Sequence, residues 1–163
     1  MRSAILVLVL ALSATACQST MEHAGHAPGG NAAVLPEPVR ARVLAEADWT
    51  RMETIDFELR DYGVKPREVR FKAGQPYRLV ITNNGSVSHY FNATEFLHQI
   101  ATRKAQVPDQ AEVKADFFNS FEIARRGGSM ELYFVPVTRG AYVMHCHLKG
   151  KEHEGVEATL IIE

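Results

Sequence analysis

The stretch AYVMHCHLKGKEHEGVEATLII, residues 141–162, decides how the rest of the chain is read. Its two ends, Ala141–His145 and Ala158–Ile162, are apolar and rich in branched residues, the composition of β-strands. Between them lies a polar loop with Gly150 and Gly155 as its breakers. The loop opens on Cys146 and carries His153 seven positions further on, with six residues between them. His145 and His147 flank the cysteine. On an extended chain they point away from the side that Cys146 faces, so they are expected half-exposed on the outer surface. A thiol and an imidazole held in one loop between two strands are a pair of metal donors.

Working outward, the remaining segments repeat the strand pattern. Leu132–Val135 joins Ala141–His145 through the Pro136–Gly140 turn. Tyr77–Thr82 runs into a polar loop, Asn83-Asn84-Gly85-Ser86, after which comes His89. Val69–Phe71 alternates and is closed by Ala73-Gly74-Gln75. Thr54–Tyr62 places Ile55, Phe57 and Leu59 on one face and Asp56, Glu58 and Arg60 on the other, ending at Gly63. Short strands separated by turns, with no regular helix between them, predict an all-β sandwich. One segment departs from this. Thr94–Lys104 has helical spacing, with Phe96, Leu97 and Ile100 together, Thr94 as a cap, and Arg103 and Lys104 at the C-terminal end. It predicts a short helix that, with the stretch to Asn119, forms an insertion in the sandwich. His98 on that helix reads as a surface residue.

Composition narrows the function classes. The chain has 163 residues, a formal charge of −1 and two cysteines. The charge gives no basic excess for nucleic acid. Two cysteines exclude a disulfide-dense scaffold or a four-thiolate iron–sulfur cluster. No C-x-x-C-H, G-x-x-x-x-G-K or G-x-S-x-G run occurs, so covalent haem, P-loop and serine-hydrolase chemistry lack support. Met1–Ala16 reads as an export signal: Arg2, an apolar run Ala4–Leu12, then small residues. Ala14-Thr15-Ala16 is a site for ordinary cleavage; with Cys17 it also resembles a lipobox, which makes Cys17 a lipidation site and leaves Cys146 the one free thiol. The expected location is the periplasm or cell envelope, with the membrane touched only through that lipid. Residues 17–50 read as a flexible tether, in which Val39–Trp49 forms a short helix or belongs to the tether itself. Within the tether, Met21, His23 and His26 offer thioether and imidazole donors suited to copper capture.

His89, Cys146 and His153, brought to one end of a sandwich, form a soft trigonal donor set. That set, with a weak axial group, is what a type 1 copper centre requires: thiolate softness for Cu(I), imidazole for Cu(II), and a rigid frame.

These residues carry a resemblance to the cupredoxins, the type 1 blue or green copper proteins. It rests on the P-x-x-V-x-F-x-A-G run Pro66–Gly74, on Tyr77–Asn84, on the N-N-x-x-x-x-H spacing ending at His89, and on Tyr142–Cys146 with its following His-containing loop. The resemblance implies a cupredoxin-like Greek-key β-sandwich over 51–163 with one short inserted helix and one type 1 copper. Periplasmic copper-tolerance cupredoxins are the nearest subgroup. Two positions depart from the family pattern. Lys151 stands where many members place the second ligand histidine, so His153 takes that role. Val156 stands where the axial methionine falls, leaving either a three-coordinate copper or an oxygen from Glu152 or Glu154. Met144 is the reserve axial candidate, while Met130 reads as packing. Asn84 is expected to tie the His89 loop to the cysteine loop. In multicopper oxidases, histidines flanking the cysteine bind a coupled copper pair. That cluster needs further H-x-H pairs, and this chain has one, so His145 and His147 are left as a second weak metal site or as replacements for His153. The implied function is copper homeostasis or tolerance, or electron transfer to a redox partner. The alternatives are a copper-free interaction module and a small copper oxidase.

Overall fold

The computed structural model describes residues 33–163. The export signal, Cys17, Met21, His23 and His26 lie outside the described residues. Among the described residues, eleven strands form two sheets. The first sheet contains β1 (Glu53–Arg60), β2 (Gly63–Lys65), β4 (Tyr77–Asn83), β6 (Ile100–Val107), β7 (Ala111–Val113) and β9 (Gly128–Pro136), in the order β2-β1-β4-β9-β6-β7. The second contains β3 (Glu68–Phe71), β5 (His89–Asn92), β8 (Ser120–Ile123), β10 (Gly140–His145) and β11 (Glu157–Ile162), in the order β3-β11-β10-β5-β8. Most neighbours are antiparallel. Two pairs are parallel, β1 with β4 and β3 with β11.

Alternation in sequence becomes burial in the fold. In β1, Phe57 and Leu59 are buried while Asp56 and Arg60 are exposed. Every second residue of β4, from Tyr77 through Leu79 and Ile81 to Asn83, points into the sandwich. The core between the sheets is aromatic. Phe71 lies against Tyr77, Phe96 and Phe134 with ring centroids 5.1, 5.3 and 5.4 Å apart. Phe57 and Phe91 meet edge to face at 5.5 Å. Burying each such side chain contributes about 2–3 kcal/mol.

Two expectations are corrected. The helix expected over Thr94–Lys104 is only α2, Thr94–His98. The chain then enters β6, which pairs with β9 along its length and with β7 at its far end. The helical spacing of Phe96, Leu97 and Ile100 is real, and all three are buried. Ile100 reaches the core from a strand, because the open edge of β9 supplies backbone partners that override local propensity. The stretch after Thr94 is therefore no insertion: β6 is an inner strand of the first sheet.

The tether expected over residues 17–50 does not extend through its described part. A helix spans Glu37–Glu46 (α1), with Val39, Val43 and Leu44 half-buried and Arg40 buried. The Leu35 amide donates to the His98 carbonyl at 3.0 Å. The Gln99 side chain donates to the Ala33 carbonyl at 2.8 Å. Arg40 donates to the Leu35 carbonyl and pairs with Asp116. These contacts hold the segment to the sandwich. No helix among the described residues is long and apolar enough to cross a membrane.

Candidate metal centre

Three loops meet at one end of the sandwich. The first leaves β4 at Asn83, the last inward-facing position of that strand. A polar residue fits there because the turn behind it holds backbone groups without sheet partners. The Asn83 side chain donates to the Val87 and Ile123 carbonyls, both at 2.9 Å, and accepts from the Gly85 amide at 2.8 Å. The last bond closes an Asx turn. The Gly127 amide donates to the Asn83 carbonyl at 2.7 Å, and the Arg126 amide to the Gly85 carbonyl at 3.1 Å. The loop is thus fastened to the β8–β9 connection. It delivers His89 to the start of β5, paired with Ile123 and completely buried.

The second loop leaves β10. Alternation along Gly140–His145 continues past the strand, with Tyr142 and Met144 buried, His145 exposed, Cys146 half-buried and His147 exposed. The Cys146 amide donates to the Val156 carbonyl at 2.9 Å, which carries the β10–β11 pairing up to the cysteine. The chain then turns at Gly150 (φ +132°), makes one 3-10 turn over Lys151–His153, and turns again at Gly155 (φ +71°). Both dihedrals lie where glycine has no steric penalty. A Cβ on Gly155 would also stand 3.2 Å from the Tyr62 carbonyl oxygen.

These paths bring His89, Cys146 and His153 together. The Cys146 sulfur lies 3.4 Å from His153 Nδ1, which lies 3.1 Å from His89 Nδ1. One ligand atom from each residue falls within 4.8 Å of the other two. The Tyr90 amide donates to the sulfur at 3.3 Å. Two facing imidazole nitrogens can share only one proton. With the sulfur beside them, they form a donor set suited to one soft or borderline cation, copper and zinc among them.

A third loop, the β1–β2 turn, fixes the other two. Asp61 accepts from the Ser86 hydroxyl at 2.6 Å and the Ser86 amide at 2.9 Å, and lies 3.0 Å from His89 Nε2. Chiefly through the Ser86 hydroxyl and amide, its carboxyl is held down to about 2. The next residue, Tyr62, donates its amide to the Glu152 carbonyl at 2.9 Å, within the loop that carries His153. Tyr62 does so at φ +67°, an uncommon conformation for a bulky residue. Gly85 sits inside this arrangement. A Cβ there would stand 2.5 Å from Asp61 Oδ1 and 2.9 Å from His89 Nε2.

Three solved structures share this architecture. A multicopper oxidase superposes with a TM-score of 0.52 at 10% identity, over 68% of this chain and 44% of that one. Another, from Pseudomonas thermotolerans, gives 0.51 at 16%, over 72% and 31%. A copper-containing nitrite reductase from Thermus scotoductus SA-01 gives 0.50 at 13%, over 68% and 30%. The fold is that of the cupredoxins. The chain spans less than half the length of each of these proteins, and at such identities the likeness is one of fold. No family model matches the sequence, and no curated protein sequence matches it.

The other expected site residues take varied places in the cupredoxin sandwich. Val156 is buried beside Cys146, 2% exposed. Glu154 is exposed and Glu152 half-buried, and no carboxylate among the described residues joins the three-residue cluster. Met144 is fully buried in the core between the sheets. His145 lies on the outer face against the Asn92 side chain at 3.2 Å. The His147 ring rests on the Tyr90 ring, centroids 4.4 Å apart. Neither histidine joins the cluster. Asn84 does not tie the loops together: it is exposed and bonded to Glu58. Its neighbour Asn83 holds the His89 loop, because strand alternation turns residue 83 inward and residue 84 outward. Sequence reasoning missed Asp61 altogether. Its only local signal was an Asp before Tyr62-Gly63, which reads as ordinary turn chemistry.

Proposed function

We propose that the chain is an exported copper-binding protein in which His89, Cys146 and His153 hold one copper ion in a type 1 site. The observation that carries this reading is the convergence of the three donor atoms within 4.8 Å at one end of a cupredoxin sandwich. The donor chemistry supports it, since a thiolate suits Cu(I) and imidazole suits Cu(II). When bound, such an ion supplies a reversible one-electron change. The protein's part is to keep the donors still while that change occurs. His89 is immobilised by burial and by the Asn83 loop, and Cys146 by its amide bond to Val156 and by the Tyr90 amide. His153 and Cys146 are both half-buried while His89 is fully buried, so the half-exposed imidazole of His153 offers an edge through which electrons would pass to a redox partner. The envelope location and the lipid at Cys17 belong to this proposal on the strength of residues 1–17. Copper tolerance belongs to it through Met21, His23 and His26.

Titrating the full mature protein with Cu(II), beside Cys146→Ser, tests the reading by visible absorption and EPR. An intense thiolate-to-copper band that saturates at one equivalent and vanishes in Cys146→Ser is the expected result. Copper uptake without the band would remove the type 1 site, and no uptake would leave the sandwich as a copper-free module. Deleting Met21–His26 separates the two roles. Copper tolerance falls if the tail captures the ion, whereas electron transfer by the folded part persists.

A further inference from the structure

A ligand histidine is useful to a metal only if the facing nitrogen carries no proton. Which nitrogen carries it is set by what the other one meets. His89 Nδ1 faces His153 and Cys146, while Nε2 faces Asp61 Oδ1 at 3.0 Å. We propose that Asp61 is a positioning residue that keeps the proton of His89 on Nε2 and so leaves Nδ1 as the donor atom of the site. The inference rests on the copper reading for its purpose, though not for its geometry.

Asp61 can do this because its own orientation is not free. The Ser86 amide reaches both carboxylate oxygens, at 3.1 and 2.9 Å, and the Ser86 hydroxyl reaches Oδ2 at 2.6 Å. A backbone amide can only donate, so the group at residue 61 must present oxygen to Ser86. The remaining oxygen is turned to His89. A carboxylate at neutral pH has lone pairs and no proton, so it can only accept. His89 must therefore donate from Nε2. Gly85 leaves the space for this contact, since a Cβ there would overlap both Asp61 Oδ1 and His89 Nε2. The same turn reaches the other loop, through the Tyr62 amide on the Glu152 carbonyl. One turn therefore sets both the protonation of His89 and the seat of His153.

The conservative variant makes the test sharp. In Asp61→Asn, Ser86 still demands oxygen, so the amide nitrogen is turned to His89. That nitrogen donates, Nε2 must then accept, and the proton moves to Nδ1. Imidazole ¹⁵N NMR of the copper-free full-length protein at neutral pH reads this directly. The expected result is the Nε2–H tautomer in the wild type and in Ser86→Ala, and the Nδ1–H tautomer in Asp61→Asn. Cu(II) affinity, measured by chelator competition, should fall about 10–100-fold in Asp61→Asn. His89 protonated on Nδ1 in the wild type overturns the inference, as does retention of the Nε2–H tautomer in Asp61→Asn. A switched tautomer with unchanged copper affinity removes His89 Nδ1 as the donor. If the wild type takes up no copper, the functional reading fails, while the tautomer of the copper-free protein still decides the role of Asp61.

Discussion

Replacing Asn83 by alanine should destabilise the domain more than any other single polar substitution near the site. Asn83 is completely buried and makes three hydrogen bonds: two donated, to Val87 and Ile123, and one accepted, from Gly85. Each such bond contributes about 1 kcal/mol net, and a buried group left without a partner costs about 1–3 kcal/mol. Asn83→Ala removes all three bonds and strands the Gly85 amide, for an expected loss of about 3–5 kcal/mol. That is a large part of the whole stability of a domain this size, about 5–15 kcal/mol. Asn83→Asp should be no milder, because it turns an oxygen toward two carbonyls. The matched control is Asn84→Ala next door. That side chain is exposed and bonds only Glu58, so its loss should stay within about 0.5 kcal/mol. Urea unfolding of the copper-free protein, followed by Trp49 fluorescence and circular dichroism, measures both. A loss below about 1 kcal/mol for Asn83→Ala, or an equal loss for Asn84→Ala, would refute the view that Asn83 holds the His89 loop.

Three further outcomes follow from the geometry. Gly85→Ala forces a Cβ to 2.5 Å from Asp61 Oδ1 and should cost about 1–3 kcal/mol and displace the copper charge-transfer band; an unchanged melting curve and spectrum would show that the turn has room to give. Asp61 is depressed from 3.8 to about 2 by Ser86, so its ionised form stabilises the fold fully above pH 4, and that contribution disappears as pH falls from about 4 to about 2. The stability difference between wild type and Asp61→Asn should therefore narrow across that window, and a constant difference in acid titrations would contradict the assignment. His145→Ala and His147→Ala each leave copper stoichiometry and the charge-transfer band intact, since both side chains lie on the outer face; loss of the band in either would place metal there.

Much of the sandwich was legible because half-buried strands write their burial into period-two alternation. Thr54–Tyr62, Tyr77–Thr82, Ala141–His145 and Ala158–Ile162 all overlap strands of the fold. The region from Thr94 to Asn119 was not legible. Phe96, Leu97 and Ile100 satisfy a helix and a helix-to-strand junction equally, and only the open edge of β9 decides between them. Short strands such as β2, β7 and β8 carry too few residues to show a period. At the site, the residues with distinctive chemistry, His89, Cys146 and His153, could be picked out singly, and the fold brings those three together. The residues that hold them could not. Asp61 is separated from His89 by 28 positions, and no local pattern links the two. Asn83 and Asn84 are alike in sequence, and on a strand a shift of one residue exchanges the inside for the outside.

The strand carrying the cysteine has an uneven set of neighbours. Along its whole length β10 is paired with β11, whereas its register with β5 is confined to His145 and Asn92. In turn β11 is braced on its other side by β3, a parallel partner some ninety positions earlier in the chain. Parallel pairings over such separations form slowly, because the loop entropy is lost before the contacts reward it. Cys146 and His153 lie in the loop between β10 and β11, so it is the pairing of these two strands that sets the sulfur beside the imidazole. A chain in which β11 has not docked against β10 would hold these donors apart, which makes one terminal strand the clasp of the whole site.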